Sequence, residues 1–198
     1  MSIQDPILLD LPMPITTNRL TIRPLMPGDG KQLYALLEHS REEYGKWFNW
    51  IEGVSSWTDV EHTAREFYSE YILRKTFCFP FFLEDELLGV VGYNNPNWAI
   101  PSAELGYYIH LDHQGKGYIR EAVTAIIQYA FKEIGFKKLS ILCDEENTRS
   151  ITVAESLGFE LEAKSPGVTS VPNATELRMG RCYVRFDTEG LEDFGVKW

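Results

Sequence analysis

Cysteine and histidine are scarce in this sequence, and neither is spaced for the sites it usually builds. The three cysteines show no CxxC spacing and, being odd in number, cannot all pair with one another, so we expect no disulfide framework. The four histidines show no ligand spacing such as HxxxH, so we also expect no metal site. The residues concerned are Cys78, Cys143, Cys182, His39, His62, His110 and His113.

Long apolar runs and a positive net charge are missing as well. No stretch of about 18 apolar residues is present to span a bilayer, and the chain opens on a polar, proline-bearing segment rather than a secretory signal. We therefore expect a cytoplasmic protein with no membrane partner. The formal net charge of −10 argues against nucleic acid as a partner. It is compatible with a cationic acceptor, but acidity is common among soluble proteins and adds little weight.

The remaining composition is that of an ordinary globular protein, with 44% hydrophobic and 24% charged residues. A chain of 198 residues is long enough for one hydrophobic core without staples. No internal repeat or low-complexity tract is visible. The sequence therefore predicts a single domain over residues 1–198, with its core at about residues 17–186.

Residues 104–131 read ELGYYIHLDHQGKGYIREAVTAIIQYAF and predict a strand, a glycine turn and a helix in direct succession. β-Forming residues dominate positions 104–110, and from Ile119 onward apolar residues recur at helical spacing. Between them, Gly115 and Gly117 let the backbone turn without a Cβ in the way. Because the first turn of a helix has unpaired N–H groups and partial positive charge, this turn is suited to a phosphate or pyrophosphate.

The kind of phosphate ligand follows from the motifs that this turn does and does not match. It is not a P-loop, because Lys and Ser/Thr do not follow the second glycine, and not a dinucleotide fingerprint, because the third glycine is absent. Residues 114–119 (QGKGYI) match Gln/Arg-x-x-Gly-x-Gly/Ala and resemble the acetyl-CoA loop of the GNAT N-acetyltransferases. The wider segment is similar to the branch that acetylates the N-termini of ribosomal proteins, the RimJ/RimL type. Ile119 departs from the usual Gly/Ala, and a strand–turn–helix without a ligand is the alternative for the loop taken alone.

The order of predicted elements resembles the GNAT fold over residues 17–186. Ahead of the loop we predict an extended or irregular segment at 1–18, a strand at 20–25, helices at 28–37 and 59–74, and a hairpin of strands 77–83 and 87–93. Thr58 is the predicted N-cap of the second helix. After it we predict a strand at 138–143, a helix at 149–157, and strands at 159–163 and 177–186. The resemblance implies an α/β (α+β) fold, with a central, mostly antiparallel mixed sheet, a splayed parallel pair and helices on both faces.

A second motif follows the predicted strand at 138–143. Asn147, Ser150 and the pair Gly158-Phe159 look like the second signature of the family, Asn-x-x-Ser and then a helix that ends in Gly-Phe. On the residues alone, Asn147 is a plain helix N-cap. Beside the glycine loop, the resemblance implies that Asn147 and Ser150 contact the pantetheine arm of the cofactor.

The resemblance implies acetyl-CoA as the acyl-donor substrate, and no metal. It places the N–H of Ile109 or a neighbour where it can hydrogen-bond the thioester carbonyl and stabilise a tetrahedral oxyanion. Lys116 adds a full charge to the loop or points into solvent. The implied cofactor-binding residues are Ile109, Leu111, Gln114, Gly115, Lys116, Gly117, Tyr118, Ile119, Asn147 and Ser150.

Two residues are candidates for catalysis. Acyl transfer to an amine needs a base that removes a proton from the amine. Glu104 is the candidate, because burial in an apolar sheet would raise the pKa of a carboxylate; pairing with a nearby arginine is the alternative. Many GNAT enzymes protonate the CoA thiolate with a tyrosine, but that position is Ala154 here, so the resemblance suggests Ser150 instead. Cys143 could carry the acetyl group in a ping-pong reaction, although a strand cysteine is more often a small core residue.

The acceptor side is assigned to an aromatic segment at residues 42–57 and to a predicted loop at 164–176. The resemblance makes Trp47, Trp50 and Tyr108 the substrate-contacting residues, and the alternative is that these rings form a satellite of the core. We expect a protein or peptide α-amino group as acceptor, with a polyamine, antibiotic or other small amine as the alternative. A non-catalytic acyl-CoA-binding module is the rival from another class. A homodimer formed by exchange of the C-terminal strand and tail is a further expectation.

Overall fold

The computed structural model describes residues 5–167 and 177–198, and eight strands and five α-helices lie within these ranges. The strands are β1 (Ile15–Thr16), β2 (Thr21–Ile22), β3 (Phe77–Leu83), β4 (Glu86–Asn97), β5 (Ser102–Ile109), β6 (Lys138–Asp144), β7 (Glu160–Pro166) and β8 (Met179–Arg185). The helices are α1 (Gly30–His39), α2 (Arg41–Tyr44), α3 (Trp57–Ile72), α4 (Tyr118–Tyr129) and α5 (Thr148–Ser156). Short 3-10 turns lie at Pro6–Leu8, Asn49–Gly53 and Leu111–His113, and a π-helical turn at Ala130–Ile134 continues α4.

The described strands form one sheet in the order β1-β2-β3-β4-β5-β6-β8-β7. Every neighbouring pair is antiparallel except β5 and β6, which are joined through α4 and run parallel. Their ladder pairs residues 102–104 with residues 138–140 and stops there, although both strands continue. The predicted mixed, mostly antiparallel sheet with a splayed parallel pair is therefore confirmed.

Helices cover both faces of the sheet, as predicted. On one face α4 and α5 pack over the sheet, and Ile126 of α4 and Leu105 of β5 belong to the same buried cluster. On the other face α1 and α3 bury Leu36 and Val60 against Val90 of β4. Each such side chain stabilises the fold by about 1.5–3 kcal/mol when it leaves water. The two clusters fix β5 in the middle of the molecule. Beyond residue 104 the edge of β5 that faces β6 is unpaired and can contribute backbone groups to a site.

The edge of the sheet differs most from the prediction. The strand predicted at 20–25 shortens to β2, because Pro24 has no N–H to donate. Arg23 and Leu25 on either side of it still donate to carbonyl oxygens of β3, at 3.3 and 2.9 Å. Ile15–Thr16 lies in the segment predicted to be extended or irregular, and it pairs with β2 as a strand of its own.

The start of α3 also corrects the sequence prediction. We expected the helix from residue 59 with Thr58 as its N-cap, but it begins at Trp57. The backbone of Ser56 is extended, as an N-cap requires, and its hydroxyl accepts a hydrogen bond of 3.3 Å from the N–H of Asp59. Two neighbouring hydroxyl residues can each fill this role, so sequence alone does not select between them.

The C-terminal tail packs on its own chain. Thr16 and Lys197 exchange backbone hydrogen bonds of 2.8 and 2.9 Å, and the ring of Trp198 meets Tyr129 edge-on. Exchange of the tail across a homodimer stays a prediction.

The loop predicted at 164–176 is only partly described. Residues 164–166 belong to β7, which corrects that part of the prediction, and residues 168–176 lie outside the described ranges. Within those ranges, no helix is long and apolar enough to cross a membrane.

Candidate active site

The glycine turn ahead of α4 keeps its backbone donors free. Gly115 and Gly117 have φ of +72° and +81°, the left-handed region that favours glycine, and no side chain caps the helix at Gly117. No described residue accepts a hydrogen bond from the N–H groups of residues 115–120. The first paired donor is the N–H of Glu121, 3.1 Å from the carbonyl oxygen of Gly117. Unpaired amides at a helix N-terminus form a binding site for an anion.

An ion pair between a buried carboxylate and a partly exposed arginine supports this turn. The carboxylate of Glu121 is fully buried and accepts hydrogen bonds from the Thr17 hydroxyl at 2.6 Å and from Nε of Arg19 at 2.6 Å. The guanidinium of Arg19 also donates to the carbonyl of Lys116 at 3.1 Å and lies 4.4 Å from the ring centre of Tyr118. Arg19 therefore holds the turn through the carbonyl oxygen of Lys116 and leaves the N–H groups of the turn unpaired.

A cavity of about 600 Å³ begins at this turn and passes through the gap between β5 and β6. Its far end is lined by aromatic residues between α2 and the 3-10 turn that follows it, among them Trp47 and Phe48. The size is within the range of small-molecule sites in proteins, about 300–1,000 Å³. The cavity therefore joins an anion site to an aromatic pocket across the splayed strands.

The free edge of β5 presents backbone groups to this cavity. The N–H of His110 donates to the carbonyl of Leu88 in β4 at 2.7 Å. Donors alternate between the two edges of a strand in an antiparallel ladder, so the N–H of the preceding residue, Ile109, points away from β4 and towards the gap. Ile109 also lines the cavity.

Glu104 lies where β5 and β6 separate. It is the last residue of β5 that pairs with β6, opposite Ser140, and it lines the cavity. Burial raises the pKa of the Glu104 carboxyl, while a hydrogen bond with the Asn95 side chain acts in the opposite direction. No arginine or lysine in the described ranges forms an ion pair with Glu104, so the alternative of a structural salt bridge is not realised there.

The start of α5 brings two further side chains to the cavity, next to one from β5 and one from β6. Asn147 caps the helix by accepting a 3.1 Å hydrogen bond from the N–H of Ser150, as its N-cap interpretation predicts. The Ser150 hydroxyl lies 3.1 Å from the hydroxyl of Tyr107, which reaches it from β5. Cys143 of β6 lines the same wall, and burial raises the pKa of its thiol and that of the Tyr107 hydroxyl. A neutral thiol favours the small-core-residue interpretation of Cys143 over an acyl-cysteine.

Aromatic rings form the opposite wall. Tyr108 lies edge-on to Tyr44, with ring centres 5.4 Å apart, and Phe48 and Trp50 contact it at 6.1 and 5.9 Å. The ring of Trp50 is 46% exposed. It contacts Tyr108 but does not line the cavity. Trp47 lines the cavity, but the two tryptophans do not share a helix because α2 ends at Tyr44.

Most of the residues predicted for the site line this one cavity. Those that do are Glu104, Tyr108, Ile109, Gln114, Gly115, Gly117, Tyr118, Ile119, Asn147, Ser150 and Trp47. Leu111, Lys116 and Trp50 lie outside its lining. Leu111 opens the 3-10 turn after β5, and the Lys116 side chain is exposed to solvent, in keeping with the second interpretation of that residue.

The sequence over most of the chain matches a known family. Residues 19–160 match the family described as "Acetyltransferase (GNAT) domain". The chain belongs to the GNAT acetyltransferase family. It is an acetyl-CoA-dependent N-acetyltransferase, with acetyl-CoA as the acyl-donor substrate.

Relatives of this GNAT chain carry names with different acceptors. A ribosomal-protein-serine acetyltransferase from Escherichia coli (strain K12) is 31% identical over 132 residues, which cover 67% of this chain and 74% of the relative. YdaF of Bacillus subtilis (strain 168), named as a ribosomal N-acetyltransferase, is 29% identical over 147 residues, 74% of this chain and 80% of the relative. A spermidine N(1)-acetyltransferase from Vibrio cholerae is 27% identical over 145 residues, 72% of this chain and 79% of the relative.

Solved structures share the GNAT architecture. A probable acetyltransferase superposes with a TM-score of 0.79 at 27% identity and covers 86% of this chain and 94% of its own. The microcin C7 self-immunity acetyltransferase MccE, in complex with acetyl-CoA and AMP, gives a TM-score of 0.79 at 22% identity, over 85% of this chain and 93% of its own. At the latter identity the likeness shows the fold alone.

Three residues that shape this GNAT site were missed by sequence reasoning. Arg19 and Glu121 support the loop, and Tyr44 contacts the backbone at one end of the gap. The sequence does draw attention to Glu121, because it is a carboxylate next to the apolar residues of a helix turn that is otherwise buried. Nothing in the sequence marks the other two, because their partners are far away along the chain.

Proposed function

We infer that this GNAT enzyme acetylates the α-amino group of a peptide or protein, by direct attack of the amine on acetyl-CoA within a ternary complex. The observation that carries this inference is the continuous cavity. It leads from the free amides of residues 115–120, through the gap between β5 and β6, to the aromatic wall. Donor and acceptor can therefore enter from opposite ends and meet between the strands, without a covalent enzyme intermediate.

The donor end fits a CoA diphosphate followed by an extended arm. The free N–H groups of residues 115–120 would bind the diphosphate at the positive end of the α4 dipole. The pantetheine arm would then lie along the unpaired edges of β5 and β6, where backbone groups replace the missing strand partner. Asn147 and Ser150 line this stretch of the cavity.

The reacting groups follow from this placement. Glu104 accepts a proton from the acceptor ammonium, because burial favours its protonated form and raises its pKa towards that of an effective base. The neutral amine attacks the thioester carbon, and the N–H of Ile109 stabilises the oxyanion that forms. Collapse of this intermediate breaks the carbon–sulfur bond, and the Ser150 hydroxyl, hydrogen-bonded to Tyr107, is placed to relay to the departing thiolate the second proton that the attacking nitrogen must lose.

The charges in the cavity favour an acceptor with one cation. Three carboxylates line it: Glu43, Glu104 and Asp144. Glu43 is already paired with Lys46 at 2.6 Å and Arg149 at 2.9 Å, and Asp144 is paired with Arg178 at 2.6 Å. Glu104 alone among these three has no ion-pair partner in the described part of the chain. One free carboxylate suits a single α-ammonium group, whereas a polyamine such as spermidine would need several.

A polyamine is the second candidate acceptor, because a spermidine acetyltransferase is among the relatives. CoA release should be measured with short peptides that have a free N-terminus, with the same peptides blocked by N-acetylation, and with spermidine. We expect release only with the free peptides. Turnover of spermidine with no turnover of any free peptide would replace the peptide proposal by the polyamine one.

A further inference from the structure

Three of the four histidines meet at the end of β5, beside the site but outside the proposed chemistry. His39 is the last residue of α1, His110 follows β5, and His113 ends the next 3-10 turn. The rings of His39 and His110 stack with their centres 4.3 Å apart and their planes 16° apart. The ring of His113 approaches His110 edge-on at 5.4 Å. Such a gathering of imidazoles was invisible in the sequence, where no pair has a ligand spacing.

A carboxylate completes the group. Oδ2 of Asp112 lies 3.3 Å from Nε2 of His39, and one ligand atom each of His39, His110 and Asp112 lies within 4.8 Å of the others. The backbone N–H of Asp112 points at Nδ1 of His110 from 3.2 Å, so this nitrogen carries a lone pair. A nitrogen with a lone pair is the atom through which a histidine binds a metal. The bond that an ion would displace is long, and therefore weak.

We propose that His39, His110 and Asp112 bind a divalent transition-metal ion, with Zn²⁺ as the representative. Two imidazoles and one carboxylate are a donor set typical of Zn²⁺, Co²⁺ and Ni²⁺, whereas Mg²⁺ and Ca²⁺ prefer oxygen ligands alone. Three protein ligands leave at least one position for water.

The side chains have the freedom that binding requires. The nitrogen lone pairs of two stacked rings lie side by side and do not converge on one point. The side chains of His39 and Asp112 must therefore rotate to bind a shared ion. Both can do so, because their side chains are 47% and 69% exposed. His110 directly follows the core strand β5, and its N–H is still held by Leu88 of β4, so it gives the site a fixed point. An ion there would join the end of α1 to the turn that leads into the glycine loop.

The test is metal binding by the whole protein, stripped with a chelator and then titrated with Zn²⁺ by calorimetry and with Co²⁺ by visible absorption. We expect one ion per chain and Co²⁺ bands that Zn²⁺ abolishes. His110→Ala and Asp112→Asn should each weaken binding at least about tenfold, the loss that even changes in the outer shell of a metal site produce. His62→Ala is the matched control, since His62 is exposed on α3 and outside the group, and it should bind like the parent protein.

Metal-free circular dichroism and thermal unfolding show whether each variant is folded before it is titrated. Equal affinity in the parent protein and in folded His110→Ala would overturn the site, as would an equal loss in His62→Ala. Cysteine thiolates also bind zinc, and binding that survives in His110→Ala would point to one of the three cysteines or to another histidine or carboxylate.

Discussion

The hydroxyl of Tyr44 donates a hydrogen bond of 2.5 Å to the backbone carbonyl of Ile109, and this bond ties the end of α2 to the last residue of β5. Burial raises the pKa of the Tyr44 hydroxyl, so it stays protonated and remains a donor at neutral pH. The bond fixes the peptide that follows Ile109, directly next to the peptide whose N–H faces the gap between the strands. The aromatic wall of the acceptor pocket and the proposed oxyanion donor are thus parts of one rigid unit.

Replacement of Tyr44 by phenylalanine removes this bond and the contact of the hydroxyl with the Ser40 side chain, and it keeps the ring. A buried hydrogen bond contributes about 0.5–1.5 kcal/mol, so we expect kcat to fall about two- to tenfold as the Ile109 peptide loosens. The KM for acetyl-CoA should change less, because the free amides of residues 115–120 are untouched. Steady-state kinetics on protein normalised for folded fraction measures both. Tyr68→Phe is the control, since the Tyr68 hydroxyl has no hydrogen-bond partner among the described residues, and an equal effect there would contradict the role of Tyr44.

Gly117→Ala should weaken acetyl-CoA binding without touching the acceptor side. A Cβ at this position meets Arg19 at 3.5 Å, which is ordinary contact, so the effect comes from the backbone. A left-handed residue with a Cβ costs about 1–2 kcal/mol, and relaxation of that strain would turn the free amides away from their common direction. We expect the dissociation constant for CoA, measured by calorimetry, to rise about tenfold.

The matched control is Gly53→Ala in the 3-10 turn after α2. Nothing lies within 4 Å of a Cβ at Gly53, and its φ is outside the left-handed region. Its CoA affinity should equal that of the parent protein. If both variants bind CoA like the parent, the loop does not depend on the glycine conformation and the proposed diphosphate site is wrong.

The parts of this site that sequence reasoning predicted are those made by neighbours in the chain. A glycine turn followed at once by a helix, and an asparagine three residues before the N–H that it caps, are relationships within a few residues. They depend on local backbone geometry, so the loop at 115–117 and the cap at Asn147 could be anticipated. The burial of Glu104 followed from its β-forming neighbours, and the upward direction of its pKa agrees with that expectation.

The parts that could not be predicted depend on contacts between distant segments. Tyr44 and Ile109 are 65 positions apart, and nothing in the sequence of either segment indicates that the two are in contact. The pairing of Arg19 with Glu121 and the meeting of His39 with His110 have the same origin, because only the packed sheet brings these residues together. The aromatic segment shows a different limit. The spacing of Trp47 and Trp50 would place them on one helix face, but α2 ends before both.

Ser150→Ala tests the proposed proton donor to the CoA thiolate. A thiolate is a fair leaving group without an acid, so we expect kcat to fall by only about tenfold, below the usual range for general acid catalysis. The loss should shrink at low pH, where water supplies the proton more readily. Tyr107→Phe should give a similar loss, and the double variant no more than either, since the two hydroxyls lie 3.1 Å apart and act together.

Ser156→Ala, near the other end of α5, is the control for this series. Its hydroxyl donates to the carbonyl of Val153, and Ser156 itself does not line the cavity. Additive losses in the Ser150 and Tyr107 variants would contradict a shared proton path.

Glu104→Gln removes the proposed base while it preserves shape. Because burial raises the pKa of Glu104, the fraction of ionised base, and with it kcat/KM, should fall as pH decreases through that raised value. In the glutamine variant this limb of the pH profile should disappear, and activity at neutral pH should fall about 10²–10⁴-fold. Rates with a free peptide across the pH range measure both. Glu66→Gln, on the exposed side of α3, should keep the full profile and rate.

Measuring the stability of Glu104→Gln distinguishes loss of the catalytic base from loss of the folded state. A carboxyl whose pKa is raised on folding binds protons more tightly in the folded protein, so its contribution to stability falls as pH rises from the unfolded pKa to the folded one. Above that window the parent protein carries a buried charge that the neutral glutamine avoids. Thermal unfolding of Glu104→Gln at neutral pH should therefore occur at the same temperature as the parent or higher. A variant that is equally stable and still fully active would show that another group takes the proton from the amine.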